Sequence, residues 1–266
     1  MWDQNAWRAM LDRIVSRGKL VFDTASVDRT DKGTKDPKVW ALALLARTVS
    51  NVEGALVVLN AGHPIEARTL VRCAYENFFC AAALVKTGGD FIRVMELDDA
   101  MSRKTQAKQL QGWAGKQKQQ PDFTEELSKF TAALAEKHPK PLYLDFQKAA
   151  KAGMIDDPYI FYKVLSNDAA HPTVTSLSHY ITWDGDDTEW ALSAKPELDP
   201  DEIEETLEFA CGVMLGVTVA VNEAVGGGTD GESLFKLSDD LRALSNASKA
   251  KGCQGRVSTR PDRQSD

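Results

Sequence analysis

The sequence lacks the features that are typical of secreted, membrane-spanning and zinc-binding proteins. Its 266 residues include only four cysteines, which form neither a CxxC pair nor a zinc-ligand spacing. The N-terminus has no basic region followed by an apolar stretch, so we expect no secretory signal. The longest nearly unbroken apolar run, residues 209–221, is shorter than the roughly 18 residues of a membrane span. We therefore expect a cytoplasmic protein with reduced thiols and no membrane contact.

Motifs for phosphate binding, nucleophilic catalysis and metal binding are absent as well. The glycines at 226–228 lack the Lys-Ser/Thr of a P-loop, and neither a Gly-x-Ser-x-Gly nor a His-Glu-x-x-His motif occurs. The acidic run Asp184–Asp187 lacks the spacing of a calcium-binding loop, which favours a simple turn. The net charge of −7, from 32 basic and 39 acidic residues, argues against general coating of nucleic acid. These observations predict no cofactor and no bound metal.

Most of the chain carries apolar residues at helical spacing, separated by short breaks. Asp36-Pro37 and Asp199-Pro200 are strong helix starts, because aspartate caps the first turn and proline fits the first helical position. Two short segments rich in β-branched and aromatic residues, 179–183 and 188–192, flank a turn and predict a hairpin. We therefore predict an all-α fold, a helical bundle with a small β-hairpin insertion.

The predicted helices and breaks divide the chain into four parts. These are an N-terminal helix and loop at 1–35, a helical core at 36–225 with the hairpin near 179–192, a hinge and last helix at 226–245, and a tail at 246–266. The tail is polar, so we expect it to be disordered. In the last helix of the core, Gly212 and Gly216 predict close approach of a neighbouring helix.

Three charged residues form a stripe on a predicted central helix. Arg68, Arg72 and Glu76 follow one another at four-residue intervals, which places them on one helix face. Ile65 and Phe79 lie within about 20° of Arg72 on the helical wheel, so we expect this guanidinium to be partly buried. A buried arginine needs a partner, and Glu76 one turn later is the nearest.

A second polar segment, Ser166–Pro172, lies at the predicted end of another helix. Asn167 and His171 share a helix face, and Asp168 is three residues before the histidine. A helix C-terminus and a nearby carboxylate both favour the charged imidazole. We predict that this segment faces Arg72 and Glu76. Two interpretations stay open, because the same residues suit either a functional site or an ion pair and a helix cap that only fix packing.

These two segments carry a resemblance to known proteins. Ala67–Glu76 together with Leu165–Pro172 resembles an uncharacterised family of bacterial helical proteins of unknown function. The second segment also resembles, more remotely, the motif of the HEPN superfamily, nucleotide-binding helical bundles that include metal-independent ribonucleases of toxins and phage defence. Asn167 matches the polar position of that motif and His171 its histidine, whereas Ser166 stands where the motif has arginine.

The resemblance implies two alternative functions. The first is a HEPN-like binding or regulatory module for a protein, a nucleotide or RNA, within a bacterial defence or toxin–antitoxin system. The second is a metal-independent ribonuclease with His171 as general acid/base. The ribonuclease alternative assigns catalytic roles to His171, Asn167, Asp168, Arg72 and Glu76, and substrate contacts to Arg68 and Ser166. The missing motif arginine favours the binding module, and the resemblance also implies a homo-oligomer.

One predicted helix carries a basic segment that bears on RNA as a partner. Residues 101–120 contain five basic residues and no acidic one, with Trp113 among them. These basic residues are Arg103, Lys104, Lys108, Lys116 and Lys118. The pattern favours a solvated helix face, and an RNA-facing strip is the alternative.

Overall fold

The computed structural model describes residues 4–28, 33–116, 121–170, 172–183, 189–196, 198–226 and 230–255. Within these ranges it contains ten α-helices and one two-stranded antiparallel sheet, which confirms the predicted all-α fold with a small hairpin.

The elements follow one another in a simple order. The helices are α1 (Gln4–Thr24), α2 (Pro37–Asn60), α3 (Pro64–Thr87), α4 (Gly89–Lys116), α5 (Pro121–Lys137), α6 (Phe146–Ala152), α7 (Tyr159–Leu165), α8 (Val174–Ser178), α9 (Pro200–Ala224) and α10 (Gly231–Gly255). The strands are β1 (Ile181–Trp183) and β2 (Trp190–Leu192). A 3₁₀ turn spans Gly33–Lys35, and a π-helical turn, the π-turn, spans Ser166–Ala170.

The two strongest helix starts lie where the sequence predicts them. The Asp36 carboxylate accepts a hydrogen bond from the backbone N–H of Lys38 at 2.9 Å, ahead of Pro37 in the first helical position. At the start of α9, the Glu202 side chain accepts from the backbone N–H of Asp199 at 2.9 Å. These caps satisfy N–H groups that have no partner inside the helix, so they determine where α2 and α9 begin.

Helix α3 lies at the centre of the molecule. More than half of its residues are buried, and it packs against α2, α6, α7, α9 and the π-turn. The Phe79 ring lies 5.7 Å from the Tyr162 ring and 6.0 Å from the Tyr159 ring, centroid to centroid. Helix α3 therefore joins the short helices of the second half of the chain to the long helices of the core.

One of the two predicted glycine contacts exists. A Cβ atom built on Gly216 would come within 2.5 Å of the Phe78 ring, so α9 and α3 approach closely there. A Cβ atom on Gly212 would meet nothing within 4 Å, so the prediction of a close contact at this position is wrong. Gly212 lies one helical turn before Gly216 on the same face of α9, so the close approach to α3 is confined to the turn that contains Gly216.

The end of the chain differs from the prediction. Helix α10 continues through Gly255, so residues 246–255 are helical and not a disordered tail. Ser245 donates a hydrogen bond to the Glu208 carboxylate at 2.6 Å, and Ser248 donates one to Glu204, which holds this end of α10 on α9. Gly226 of the predicted hinge has a φ of 117°, whereas residues 227–229 and 256–266 lie outside the described residues.

Helices α4 and α5 form a two-helix arm. Ala100, Ala107 and Ala114 are buried at seven-residue intervals along α4, and the Gln111 side chain donates to Ser128 of α5 at 3.1 Å. The short connection between the helices makes them antiparallel. None of the described side chains of α5 is buried. In the described part of the chain, α4 is the main element against which α5 packs.

Helices α2 and α9 are long and apolar enough to cross a membrane by length and composition alone, with mean hydropathies of 1.5 and 1.4. Two thirds of the α9 window (67%) and one third of the α2 window (33%) are buried inside the molecule. Core helices of water-soluble proteins meet the same criterion, so the expectation of no membrane contact stays a prediction.

Candidate functional site

The guanidinium of Arg68 lies buried between α3, α9 and the π-turn, with its side chain 2% exposed. Its Nη2 atom donates to the Asp168 carboxylate at 2.6 Å and to the Glu205 carboxylate at 3.1 Å. Its Nη1 atom donates to the Thr206 hydroxyl at 2.9 Å. Both terminal nitrogens are therefore bonded to groups of the chain itself.

The guanidinium of Arg72 lies one turn further along α3 and is about four fifths buried. It pairs with the Glu76 carboxylate at 3.0 Å, and its Nε atom donates to the Ser166 hydroxyl at 3.0 Å. Its Nη2 atom donates to the Tyr162 hydroxyl at 3.1 Å, and the guanidinium lies 5.0 Å from the centre of that ring. The predicted ion pair between Arg72 and Glu76 is present.

The structure brings together five of the seven residues that the sequence singled out. They are Arg68, Arg72, Glu76, Ser166 and Asp168, and we call this group the arginine cluster. Asn167 is exposed, and its backbone carbonyl accepts a hydrogen bond from Thr173 at 2.6 Å. His171 lies outside the described residues, so its predicted catalytic role stays a prediction.

The π-turn is the element that the cluster holds. The Ser166 hydroxyl donates to the Tyr162 carbonyl at 2.7 Å and accepts from Arg72, while Asp168 accepts from Arg68. A π-turn is an uncommon, widened turn that forms mainly as a single turn within an α-helix, frequently at functional sites. Arginines from successive turns of α3 therefore bond to the first and the third residue of one irregular turn.

The charges of the cluster are close to balanced within the chain. The two guanidiniums face three carboxylates, those of Glu76, Asp168 and Glu205. Burial raises the pKa of Glu76 above its usual value, and the attraction of Arg72 opposes that rise. With each positive charge already paired, the cluster has little excess charge to attract a phosphate group.

The sequence that leads into α9 and forms its first turns is strongly acidic. Residues 184–208 contain 11 acidic residues and a single lysine. Helix α9 begins in this stretch, and its Glu205 side chain remains 43% exposed although it contacts Arg68. A polyanion that approached the cluster from this side would be repelled.

The described cysteines do not provide a nucleophile for this site. Cys73, next to Arg72 in sequence, is half-buried, and desolvation raises the pKa of its thiol. Cys80 and Cys211 are buried, and burial raises the pKa of Cys80 to about 12. These thiols are therefore protonated near neutral pH, the form that is a poor nucleophile.

Three residues that bond to the arginines of the cluster are missing from the sequence-based predictions. Tyr162 precedes Ser166 by four residues, so the shared helix face could have indicated it. Glu205 and Thr206 come from α9, 137 and 138 residues away from Arg68, and no local pattern links them to it.

The chain that leaves the π-turn presents an apolar surface. Trp183 and Trp190 are directly opposite each other in the hairpin, and Ile181 pairs with Leu192. Because side chains alternate along a strand, these four residues share one face of the hairpin, the hairpin face. Trp183, Trp190 and Leu192 are 51%, 62% and 74% exposed. The hairpin packs chiefly on itself, so this face is open.

Comparison with known proteins identifies a family. Residues 38–189, more than half of the chain, match a family described as "Family of unknown function (DUF5677)". No curated protein and no solved structure matches the chain significantly. The match covers α2 to α8 and the first strand of the hairpin, and therefore includes Arg68, Arg72 and the π-turn.

Proposed function

Because the chain belongs to this family of unknown function, we infer its role from the site itself, and we propose that it is a non-catalytic, protein-binding module. The hairpin face is the docking surface, and the arginine cluster holds that surface in place. The observation that carries the proposal is the exposure of two paired tryptophans and a leucine on a small hairpin that stands apart from the core.

The exposed side chains are of the type that anchors protein interfaces. Tryptophan is enriched at interfaces and in the residues that dominate their binding energy. Contiguous apolar surface on a monomer marks an interaction site more often than chance. A two-stranded hairpin is only marginally stable alone, so a partner that covers this face would also stabilise it.

The surroundings of the hairpin specify the chemistry of the partner. Acidic residues are concentrated at 184–208, which begins between the two strands and continues into α9. Complementary charge favours a basic surface on the partner and repels an acidic one. We therefore propose a protein segment that combines apolar anchors with lysine or arginine.

The arginine cluster fits a positioning role in this proposal. Its guanidiniums are bonded to Asp168, Ser166 and their neighbours, so they connect α3 to the π-turn from which α8 and the hairpin follow. Buried ion pairs add little net stability but can specify a single arrangement of the chain. In this proposal the cluster determines the direction in which the hairpin is presented.

The ribonuclease alternative rests on His171 and on the resemblance to the HEPN motif. Arg72 would have to exchange its bonds to Glu76 and Tyr162 for a phosphate, and Arg68 is buried away from solvent. The acidic stretch at 184–208 also opposes a polyanionic substrate. Both features favour the binding module over the ribonuclease.

The test uses a phage-displayed library of random 16-residue peptides selected against the full chain. We expect enriched peptides that combine aromatic or aliphatic residues with lysine or arginine, because the hairpin face is apolar and its surroundings are acidic. A synthetic peptide from the selection should bind with a micromolar Kd in a fluorescence titration. Trp190→Ser combined with Leu192→Ser should weaken binding at least tenfold, whereas Phe235→Ser, an exposed site on α10, should leave it unchanged.

Three results would contradict the proposal. They are the enrichment of acidic peptides only, equal binding by the hairpin variant, and cleavage of single-stranded RNA that His171→Ala abolishes. The third result would instead establish the ribonuclease alternative, which predicts that residue as general acid/base.

A further inference from the structure

The arm formed by α4 and α5 has one face that nothing in the described chain covers. Four large apolar side chains are exposed on it, namely Leu110 and Trp113 of α4 and Phe123 and Phe130 of α5. They are between 38% and 51% exposed. Exposed apolar residues at this density on a two-helix hairpin indicate a surface that is covered in the functional state.

Helical geometry places these four residues on the same side of the arm. Ala107 faces α5. On a helical wheel with 100° per residue, Leu110 lies about 60° and Trp113 about 120° from Ala107, both in the backward sense of rotation. On α5, Leu127 is half-buried and precedes Ser128, which bonds to α4. Phe123 and Phe130 lie about 40° and 60° backward from Leu127. In two antiparallel helices, a backward rotation away from the contact between them leads to the same side of the pair. The apolar residues of α4 and of α5 therefore lie on one side of the arm, which we call the arm face.

The stability of α5 requires such a cover. It has 17 residues, and none of its described side chains is buried. In proteins most of the stability of a helix comes from packing of its apolar face. Packing on the small Ala100, Ala107 and Ala114 side chains alone leaves most of the apolar surface of α5 in water.

The charges of the arm identify the partner. From Met101 onward α4 carries four basic residues and no acidic one, whereas α5 carries four acidic and two basic residues. A nucleic acid or an anionic membrane would be attracted by α4 and repelled by α5. A surface that has one basic and one acidic helix is complementary to itself.

We propose that the arm face is the dimerisation surface of this protein, and that two arms form a four-helix bundle. A two-fold axis parallel to the helices places each α4 on the α5 of the other copy. All four neighbouring pairs are then antiparallel, and each joins a basic to an acidic helix. The alternative axis would stack α4 on α4 and bring like charges together.

The size of the face sets the expected affinity. Two helices about 25 Å long and roughly 10 Å apart present a face of about 500 Å². Specific interfaces bury on the order of 800 Å² per partner, so this face is at the lower end of the range. We therefore expect a dissociation constant in the micromolar range. This inference is independent of the hairpin face.

Sedimentation velocity between about 1 and 200 μM tests the dimer. The wild-type protein should change from monomer to dimer over this range, and Phe130→Glu should remain monomeric because a charge would be buried in the bundle. Phe235→Glu, which introduces the same charge at a more exposed phenylalanine of α10, should dimerise like the wild type. Phe130→Ala, a milder change, should weaken the dimer at least fivefold, and circular dichroism should show unchanged helix content.

Disulfide trapping tests the arrangement. The Gln111–Ser128 hydrogen bond puts Gln106 and Ala133 at equal height on the arm face. In a Cys253→Ser background, a mixture of Gln106→Cys and Ala133→Cys proteins should form the mixed covalent dimer. Predominant Gln106–Gln106 cross-linking, a monomer at 200 μM, or a Phe130→Glu variant that dimerises normally would each overturn the proposal. Loss of peptide binding at the hairpin face would not contradict the dimer proposal.

Discussion

At the scale of single residues, Arg68 connects three elements that are distant in sequence. Its guanidinium is bonded to Asp168 in the π-turn and to Glu205 and Thr206 in α9. Replacing it by an apolar side chain would leave these acceptors facing a desolvated pocket. The residue therefore affects both the stability of the core and the geometry of the turn.

We predict that Arg68→Met lowers the free energy of unfolding by about 3 kcal/mol, because removing one partner of a buried pair leaves an uncompensated charge. Urea denaturation followed by circular dichroism measures this change. Arg13→Met is the matched control, since Arg13 pairs with Asp240 at 2.5 Å with both side chains well exposed. The control should change stability by less than about 1 kcal/mol, and equal effects of the two substitutions would contradict the prediction.

Glu76 leads to a prediction about pH. Burial raises its pKa in the folded state, so between the unfolded value near 4.5 and the raised value the folded protein binds more protons than the unfolded chain. Stability contributed by this group therefore falls as pH rises through that window. Glu76→Gln should remove this fall.

The measurement is the difference in unfolding free energy between Glu76→Gln and the wild type at several pH values from 4 to 7. The variant should gain relative to the wild type as pH increases. A difference that does not change with pH would show that the attraction of Arg72 offsets the cost of burying the carboxylate, and one that changes in the opposite direction would show that it outweighs this cost. Either result would contradict the prediction.

The residues of the arginine cluster could be predicted from the sequence, whereas most of the contacts between them could not. The Arg72–Glu76 pair is separated by one helical turn, so spacing alone predicts it. The bond between Arg68 and Asp168 joins residues 100 positions apart, and that with Glu205 joins residues 137 apart. Such pairs arise from tertiary packing, which leaves no periodic signal in the sequence.

At the scale of elements, α9 allows a comparison of two glycines in one helix. Gly216 faces the Phe78 ring, whereas the position of Gly212 is open. We predict that Gly216→Ala destabilises the protein by about 1–3 kcal/mol, because the ring has to move in a packed core. Gly212→Ala should stabilise it by roughly 0.5–1 kcal/mol, because alanine favours the helix. Thermal denaturation of both variants is the measurement, and equal signs would contradict this account of α9.

Most element boundaries could be predicted where a capping residue defines them. Helix α2 begins at Pro37 after the Asp36 cap, and β1 and β2 form the expected hairpin. The π-turn could not be predicted, because no local pattern distinguishes it from a further α-helical turn and the arginines that bond to it are 100 and 94 residues away in the sequence. Helix α8 has five residues, too few for a helical period to be visible.

At the scale of the whole molecule, stability is unevenly distributed. Helices α3 and α9 are packed on several sides, whereas α5 has no buried described side chain. We predict that hydrogen exchange of α3 and α9 amides requires global unfolding, while α5 amides exchange by local opening. Mass spectrometry of exchanged peptides at low micromolar concentration measures this order. Slower exchange in α5 than in α3 would contradict it.

The π-turn also makes the direction of the hairpin depend on the number of residues that precede it. A π-turn closes with i→i+5 hydrogen bonds, one residue more than an α-helical turn. Removing one codon within 166–170 would let this stretch return to α-helical bonding and rotate the following chain by about 100°. In the evolution of the family, a single-codon insertion or deletion at this place would redirect the intact hairpin face in one step, which no substitution within the hairpin can do.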